Sequence, residues 1–491
     1  MNPIFYKPEN AWAGDPFPFF KEGTYYLYYM LDWRQKAPDG QSVPSDGRTA
    51  RMYLITTKDL VHFAEHGEMV PCGGQEEADT YLGTGTVAEA FGRYHMFYTG
   101  YNPHYAAQGK QAMSVLHAVS DDLLHWEKVP ADTFTSPGGT FDPQDWKDPF
   151  FFWNDEAGEF WMLVCSRLKA GPARRRGCTA LCTSKDLTHW QVQPQPFYAP
   201  GLYNDHDCGD LFGMGDWWYF FFSEYSEQVT TRYRMARSLA GPWLTPAVDT
   251  CDGRGLYAGK TAGDGANRYL FGWLPTRQGS KDYRPWEFGG TLVIHELCQK
   301  PDGTLAVRAP RPVLQAFGAE RACTFQPALG RSRITPQAVE LEGAGSLACA
   351  DAGPLPASCK IEATIVYQPD TRGCGLALRT SGDFESGYYI RLEPARQRLV
   401  FDAWPRPNDQ PFMIGLERPI RLEPGAPIRM TVLVEGTVCV VYVNDETAMS
   451  ARMYDLSAGH WGLFVQQGLA RFTDVTLAGG RIRRQADDEE K

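Results

Sequence analysis

Three aspartates stand at the start of aromatic segments that recur along the chain. Asp15 lies in WAGDPFPFF, Asp148 in WKDPFFFW and Asp207 in DCGDLFG. Carboxyl groups that enter one central site from separate repeats repel each other, which is costly unless a substrate or an ion uses them. Cleavage of a glycosidic bond needs one carboxyl group protonated beside the leaving oxygen and one ionised beside the anomeric carbon. A third can stabilise the oxocarbenium-like transition state. The three aspartates therefore indicate a glycosidase.

A second phrase repeats between these segments and indicates how they are positioned. It occurs as TTKDLVHF (56–63), AVSDDLLHW (118–126) and CTSKDLTHW (182–190). We interpret its Asp as a turn former before an outer strand and its His as a packing residue within the repeat. A period of about 60 residues between short aromatic strands is typical of a radial β-repeat. Five such segments predict a five-bladed β-propeller over residues 1–315.

The sequence pattern changes after this region. Residues 316–328 predict a linker, and residues 329–480 contain alternating apolar and polar segments such as KIEATIVYQP and VCVVYV. Such alternation predicts antiparallel strands with one buried face, and this many strands predict a β-sandwich. Residues 481–491 predict a charged, disordered tail. The predicted fold is therefore all-β, with a five-bladed β-propeller followed by an antiparallel β-sandwich.

Composition argues against several classes of partner. The chain has 491 residues and a net charge of −11, which disfavours nucleic acid and anionic membrane surfaces. No apolar run approaches the roughly 18 residues of a membrane span, and the start of the sequence does not resemble a signal peptide. The 12 cysteines show no paired spacing, which favours thiols in a reducing compartment. We expect a cytoplasmic protein with a carbohydrate as its small-molecule partner. The oligomeric state is not predicted.

Taken together, the segments resemble glycoside hydrolase family 32, the family of invertases, levanases and inulinases. The likeness covers nearly the whole chain. Its motifs follow the family's order: WAGDPFP (12–18) is similar to WMNDPNG, GTGTV (83–87) to FSGSA, KDP (147–149) to RDP, DCGDLF (207–212) to ECPDLF, FGW (271–273) to GW, and WEFGGTL (286–292) to W-x-G. The resemblance implies the same propeller and sandwich, retaining chemistry through a covalent fructosyl-enzyme, and no metal or organic cofactor.

The resemblance also implies a role for each matching residue. Asp15 would be the nucleophile, Asp148 the transition-state stabiliser and Asp207 the general acid/base. Asp210 and Glu224 remain alternatives to Asp207 for that last role. The predicted substrate-binding residues are Trp12, Asp32, Trp33, Thr84, Thr86, Lys147, Asp210, Glu224 and Trp273. No metal is predicted, because the acidic and sulfur residues around Asp207 fit no standard ligand spacing.

Five sites depart from the family's pattern, and all concern the sugar pocket. Gly14 replaces an Asn, Phe17-Pro18 an Asn-Gly, Met30 a Gln, Lys147 an Arg, and Asp207 a Glu. A displacement of about 1 Å in a catalytic group can cost roughly 100-fold in rate. Three functions stay open. The first is a retaining hydrolase of fructofuranosides or similar short oligosaccharides. The second is a related propeller glycosidase on another furanoside or pyranoside, retaining or inverting, and the third is a sugar-binding propeller without catalysis.

Overall fold

The computed structural model describes residues 4–36, 42–44, 50–405 and 416–480. These residues form β-strands joined by turns and four short 3-10 helices, and their one α-helix is α1 (Arg311–Gln315). The prediction of an all-β protein is confirmed. The predicted charged tail, residues 481–491, lies outside the described residues. Among the helices of the described ranges, none has the length and apolar character needed to cross a membrane.

Residues 11–308 form five successive antiparallel meanders. The first contains β1 (Ala11–Lys21), β2 (Thr24–Lys36), β3 (Ser42–Pro44), β4 (Arg51–Thr57) and β5 (Ala64–Val70). The second contains β6 (Tyr81–Ala90), β7 (Arg93–Tyr101), β8 (Met113–Ser120) and β9 (Glu127–Lys128). The third contains β10 (Phe141–Asn154), β11 (Glu159–Leu168), β12 (Gly177–Ser184) and β13 (Gln191–Val192). The fourth contains β14 (Asp207–Met214), β15 (Trp217–Glu224) and β16 (Thr230–Ala236). The fifth contains β17 (Tyr257–Gly263), β18 (Arg268–Arg277), β19 (Trp286–Gln299) and β20 (Leu305–Arg308).

The first strands of the five meanders contact one another in cyclic order. Strand β1 contacts β6, β6 contacts β10, β10 contacts β14, β14 contacts β17, and β17 returns to β1. The first and fifth meanders also join edge to edge, because Ala13 on β1 pairs with Gly290 on β19. The chain thereby brings one end of every meander to a common centre.

A β-bulge interrupts each of these first strands at the same place. Pairing with the second strand skips two residues, between positions 14 and 17, 82 and 85, 147 and 150, 207 and 210, and 257 and 260. The first skipped residue has a positive φ at Asp15 (41°), Asp148 (55°), Cys208 (54°) and Ala258 (53°). Since a bulge redirects side chains, Asp15 and Asp148 occupy equivalent positions. Asp207 is the last paired residue before its bulge, so its position is not equivalent to those of Asp15 and Asp148.

The repeated phrases form the turns between β4 and β5, between β8 and β9, and between β12 and β13. In each turn one carboxylate oxygen of Asp59, Asp122 or Asp186 accepts two backbone N–H bonds. The other oxygen contacts the His three residues later, at 2.6 to 2.9 Å. The Asp residues are turn formers, as predicted. The prediction that the His residues pack within the repeat is wrong, because their side chains are 58%, 87% and 86% exposed.

Residues 321–479 form a second antiparallel sheet system with its own core. Its long strand β33 pairs with four others, including β24, β25 and β26. The apolar core includes Leu341, Ile361, Val432 and Trp461. Residues predicted as a linker contribute β21 and part of β22. The strands are β21 (Arg321–Ala322), β22 (Gln326–Leu329), β23 (Arg331–Ile334), β24 (Ala338–Pro354), β25 (Ser358–Tyr367), β26 (Gly373–Thr380), β27 (Gly387–Glu393), β28 (Arg398–Trp404), β29 (Leu416–Pro419), β30 (Ile428–Glu435), β31 (Val438–Val443), β32 (Thr447–Arg452) and β33 (His460–Gly479).

A buried polar network joins the two parts of the chain. Asp252 accepts hydrogen bonds from the backbone N–H of Ser450 (2.7 Å) and from its hydroxyl (2.6 Å), and lies 2.8 Å from Nε2 of His295. Nδ1 of His295 lies 2.9 Å from the hydroxyl of Tyr442. Burial alone would raise the pKa of Asp252, but these hydrogen bonds and the charges of His295 and Arg418 hold that pKa below its usual range. The second part therefore supports the fifth meander through a fixed carboxylate.

Candidate active site

A cavity of about 420 Å³ lies at the common centre. Asp15, Asp148 and Asp207 all line it, together with Lys147. We call these four residues the carboxyl cluster. Five aromatic residues, Tyr225, Tyr257, Trp273, Trp286 and Phe288, form much of the remaining wall, and Cys208, Val229, Pro275 and Glu287 complete it. Aromatic faces suit the C–H faces of a sugar ring, so the cavity combines carboxyl groups with surfaces on which a sugar can stack.

Among the residues that the structure describes, a single neutral donor holds Asp15. Nε1 of Trp273, on β18, donates a 2.9 Å hydrogen bond to Oδ1 of Asp15. Burial and the charge of Asp148 raise the pKa of Asp15 to about 7, although the Trp273 bond opposes this rise. A carboxyl group with this pKa gains and loses its proton near neutral pH.

Asp148 is fixed by its neighbours on both sides. Its backbone N–H donates a 2.7 Å bond to Oγ1 of Thr99, on β7. Its Oδ2 accepts a 2.9 Å bond from the backbone N–H of Cys208 at the bulge of β14. Burial and the charge of Asp207 raise the pKa of Asp148, while the ammonium of Lys147 works against the rise. The bulges of β10 and β14 therefore set the position of this carboxyl group.

Both oxygens of Asp207 are engaged. Nζ of Lys147 lies 2.9 Å from Oδ1, and the hydroxyl of Tyr257 donates a 2.7 Å bond to Oδ2. The thiol of Cys165 lies 3.8 Å from Oδ1. Burial tends to lower the pKa of Lys147, but the charge of Asp207 and those of its other acidic neighbours together outweigh burial and raise that pKa well above its ordinary value. The carboxyl group of Asp207 is thus held in one orientation beside a permanent positive charge.

Lys260 is a second buried cation near the cluster, and the sequence does not single it out. Its side chain is 2% exposed, and its Nζ donates a 2.8 Å bond from β17 to the carbonyl of Gly85 on β6. Burial lowers the pKa of Lys260, while nearby acidic groups, Asp210 and Asp148 among them, oppose this. In turn, its charge favours the ionised form of Asp148. Lys260 therefore offsets part of the repulsion among the carboxylates.

A second pair of acids lies behind Lys147. Burial, together with the charge of Asp205 and a hydrogen bond to it, raises the pKa of Asp145 to about 8, although Lys147 opposes this. Asp205 also accepts a 2.6 Å bond from the hydroxyl of Tyr225. The carboxyl group of Asp145 is therefore largely protonated at neutral pH. Cys165 places its sulfur within 4.8 Å of carboxylate oxygens in this pair, and likewise of those in Asp148 and Asp207. Such sets could hold a cation, but Lys147 already supplies positive charge there.

The structure places Lys147 and Trp273 at the cavity wall but several other predicted binding residues away from it. Trp12 is buried beneath the guanidinium of Arg34, whose carbon lies 3.5 Å from the ring centroid. Asp32 is buried and paired with the same Arg34. Trp33 packs against an apolar core. These three residues support the first meander rather than line the cavity.

The remaining predictions require similar corrections. Thr84 is buried, and Thr86 donates a 2.8 Å bond to the carbonyl of Pro149, so neither lines the cavity. Asp210 is buried and accepts bonds from the N–H and hydroxyl of Thr261, both at 2.7 Å. Glu224 is fully buried and pairs with Arg232 at 3.1 Å. Asp210 and Glu224 are structural acids, which leaves Asp207 as the candidate acid/base.

The absence of a side chain at position 14 has a steric cause. An added Cβ at Gly14 would lie 2.5 Å from Cζ of Phe288. The Phe288 ring also packs edge-on against Trp273, with 5.3 Å between centroids. An aromatic ring from β19 therefore occupies the space that a side chain beside Asp15 would need. The sequence motif WEFGG contains Phe288, but nothing in the sequence places it over Gly14.

Comparison with known proteins identifies the family. The family model for the glycosyl hydrolases family 32 N-terminal domain matches residues 5–304. The chain is 24% identical over 213 residues to an insoluble β-fructofuranosidase isoenzyme of Arabidopsis thaliana, and the match covers 42% of this chain. It spans about a third, 33%, of the length of that curated relative.

Solved structures share the fold over nearly the whole chain. The exo-inulinase of Aspergillus awamori has a TM-score of 0.71 at 16% identity, with 97% of each chain covered. A variant of fructan 1-exohydrolase IIa from Cichorium intybus, solved with 1-kestose, has a TM-score of 0.72 at 14% identity, with 97% of this chain and 96% of that chain covered. At such identities the likeness shows the fold alone. The family model covers more than half of the chain and confirms the resemblance seen in the motifs. The chain belongs to glycosyl hydrolases family 32, a family of glycosidases.

Proposed function

We propose that this chain is a retaining glycosidase that hydrolyses fructofuranosides or similar short oligosaccharides through a covalent glycosyl-enzyme. The observation that carries the proposal is the unequal environment of two carboxyl groups in one cavity. Asp15 accepts one bond from a neutral indole, whereas Asp207 is anchored by Lys147 and Tyr257. The first environment leaves a carboxylate oxygen for attack on carbon. The second holds a carboxyl group in one orientation, as a proton donor to the leaving oxygen requires.

The proton balance of the carboxyl cluster supports these roles. Three carboxyl groups share two buried ammonium groups, those of Lys147 and Lys260, and the raised pKa of Asp15 keeps one proton in the cluster up to about pH 7. Transfer of that proton to Asp207 yields an ionised nucleophile and a protonated acid together. Asp15 then attacks the anomeric carbon while Asp207 protonates the departing oxygen. Asp207 next removes a proton from water, which hydrolyses the intermediate and restores the proton to the cluster. Asp148 stabilises the positive charge on the sugar.

We also propose that the five meanders are the blades of one β-propeller over residues 1–315. The cyclic contacts of the first strands and their matching bulges support this arrangement. We further propose a linker near residues 316–328 and a β-sandwich over residues 329–480, supported by the separate apolar core there. A cytoplasmic location and a carbohydrate partner remain part of the proposal. All 12 cysteines are free within the described residues, which fits a reducing compartment.

One observation favours a second candidate, a glycosidase on a different furanoside. Phe288 lies over Gly14 beside the nucleophile, where a polar side chain could otherwise bind a sugar hydroxyl. A sugar with fewer hydroxyl groups would suit this wall. The alternative shares the carboxyl cluster and differs only in the sugar that is bound.

Turnover of a panel of fructofuranosides, arabinofuranosides and xylosides tests the proposal. The wild-type chain and Asp15→Asn are compared, and NMR follows the anomer that is released first. We expect fructose released with retention, and a loss of more than about a thousandfold in kcat for Asp15→Asn. Release of another sugar would favour the second candidate. Inversion, or substantial activity in Asp15→Asn, would disprove the mechanism, and sugar binding without turnover would make the chain a binding protein.

A further inference from the structure

A second and larger cleft adjoins the catalytic cavity. Its volume is about 1050 Å³, and Tyr225 lines both spaces. Four arginines line this cleft: Arg167, Arg174, Arg175 and Arg232. We call it the arginine cleft. The protein as a whole carries a net charge of −11, so this concentration of positive charge runs against the overall balance.

Part of the charge in the arginine cleft is already neutralised. Arg232 pairs with Glu227 and Asp249, each at 2.9 Å, and with the buried Glu224 at 3.1 Å. Glu227 and Asp249 are the acidic residues that line the cleft. Since both are paired with Arg232, they do not compensate the other arginines. Arg232 is therefore structural.

The other arginines retain their charge for a ligand. Within the described ranges, the guanidinium groups of Arg174 and Arg175 make no ion pair or hydrogen bond, and both side chains are exposed. Arg167 is only weakly paired: its Nε lies 4.0 Å from Oδ2 of Asp145. Its Nη2 donates a hydrogen bond to the carbonyl of Ala173. An exposed guanidinium without a partner is a ready donor for carboxylate or phosphate oxygens.

The loop that carries two of these arginines is anchored by a third. The segment between β11 and β12 contains three consecutive arginines, 174 to 176. Nη1 of Arg176 donates bonds to the carbonyls of Leu168 (2.8 Å) and Lys169 (3.1 Å). Arg176 thus closes the loop on itself, while Arg174 and Arg175 stay at the cleft.

The arginine cleft lies on the side of the catalytic cavity near Asp207, the proposed acid, and this position indicates which part of a substrate the cleft contacts. Tyr225 lines both the catalytic cavity and the arginine cleft. Its hydroxyl donates a hydrogen bond to Asp205, which lies two residues before Asp207 in the chain. The acid protonates the leaving oxygen, so the side of the cavity near Asp207 is where the leaving group departs. We propose that the leaving group carries an anionic substituent, a carboxylate or a phosphate, and that Arg174 and Arg175 bind it in the arginine cleft. This inference rests on the proposed glycosidase function.

Matched substrates test the inference through turnover. The probes are the β-fructofuranosides of glucose, of glucuronic acid and of glucose 6-phosphate, which differ in the charge of the leaving group. We expect a kcat/KM about tenfold higher for one or both anionic substrates at low ionic strength, with the difference mainly in KM. Added salt should reduce the preference, because exposed charges are screened. Whether the carboxylate or the phosphate is preferred identifies the anion.

Variants distinguish recognition from general charge effects. The double variant Arg174→Gln/Arg175→Gln should lose the preference and keep the kcat/KM of the neutral substrate. The control Lys185→Gln removes an exposed charge that does not line the arginine cleft and should keep the preference. Equal kcat/KM for all three substrates in the wild type, with turnover intact, would overturn the inference and leave the proposed function standing.

A binding measurement makes the test independent of turnover. Calorimetry compares glucose, glucuronate and glucose 6-phosphate with the wild type and with the double variant. Binding of an anion that the double variant weakens about tenfold supports the arginine cleft even if no fructofuranoside is hydrolysed, in which case only the proposed function fails. Anion binding that is absent, or unchanged in the double variant, overturns the inference.

Discussion

Nζ of Lys147 lies 2.9 Å from Oδ1 of Asp207, and the two residues hold equivalent positions on neighbouring strands. Each is the last paired residue before the bulge of its strand, on β10 and β14. Tyr257, which binds the other oxygen of Asp207, holds the same position on β17. One row of residues across three strands therefore fixes Asp207, the proposed acid/base. Asp15 and Asp148, the proposed nucleophile and stabiliser, belong to the next row.

Loss of the ammonium beside Asp207 should impair both folding and activity. Lys147→Met leaves a buried carboxylate without its counter-charge, which costs up to about 3–5 kcal/mol when one partner of a buried pair is removed. Since the Lys147 side chain is 20% exposed, we expect about 2–3 kcal/mol in the free energy of unfolding. We also expect kcat at least roughly 100-fold lower. Urea unfolding and steady-state kinetics measure the two effects.

Lys147→Arg is the matched control, because it keeps the positive charge. It should retain most of the stability and lose less than about tenfold in kcat. A Lys147→Met variant with the activity and stability of wild type would show that the ion pair has no role.

The pH dependence of kcat/KM reports the proton of the carboxyl cluster. Burial and Asp148 raise the pKa of Asp15 to about 7, so the free enzyme holds this proton below pH 7 and loses it above. Without it Asp207 cannot protonate the leaving group. We therefore expect kcat/KM to fall as pH rises through about 7. A kcat/KM that instead increases through pH 7 would show that the acid draws its proton from elsewhere.

The hydrogen bond from Trp273 gives this pH profile a specific test. The bond lowers the pKa of Asp15 by stabilising the carboxylate. Trp273→Phe keeps an aromatic wall and removes the donor, so the fall in kcat/KM should move to higher pH. Trp286→Phe changes another wall residue of the cavity and should leave the position of the fall unchanged.

Asp15 should also make the protein less stable at alkaline pH. Its folded-state pKa, about 7, is raised above the ordinary value of 3.8. The favourable contribution of such a group is present below the unfolded-state pKa and is lost as pH rises to the folded-state pKa. Asp15→Asn removes this loss, so the variant should be more stable than wild type at pH 8 by up to about 4 kcal/mol. Thermal unfolding at pH 4 and pH 8 checks this, and a variant that is less stable at pH 8 would contradict it.

Asp252 should couple the two parts of the chain during unfolding. Asp252→Ala leaves the N–H of Ser450 and the ring of His295 buried without an acceptor, at a cost of about 3 kcal/mol. Because the pKa of Asp252 is depressed, its contribution is present near neutral pH and is lost as pH falls through that pKa. Calorimetry should give one transition, shifted as a whole in the variant. Two transitions, of which only one shifts, would show that the parts unfold separately.

The strands could be predicted from the sequence, and so could the meeting of Asp15, Asp148 and Asp207 in one site. Each aspartate is followed by aromatic strand residues, and the Asp-Pro repeat marks two equivalent bulges. A period-two pattern does not show which residue a bulge redirects, so the different row of Asp207 could not be predicted. Likewise, the sequence does not exclude Glu224 as the catalytic acid. In the structure its buried carboxylate pairs with Arg232, eight residues later on the next strand.

Contacts between distant segments set the rest of the site. Lys260 reaches from the fifth meander to the carbonyl of Gly85 in the second, and Phe288 covers Gly14. Nothing in the local sequence around these residues distinguishes them from ordinary strand residues. Only the closed ring of first strands brings them to the carboxyl cluster.

The central claim is that Asp15 forms a covalent bond to the sugar, and trapping that bond tests it most directly. β-Fructofuranosyl fluoride needs no acid for its leaving group, whereas hydrolysis of the intermediate needs Asp207 as base. In Asp207→Asn the glycosyl-enzyme should therefore accumulate, and peptide mass spectrometry should locate one fructosyl group on Asp15. A modified Asp148 or Asp210, or release of fructose without any adduct, would contradict the account.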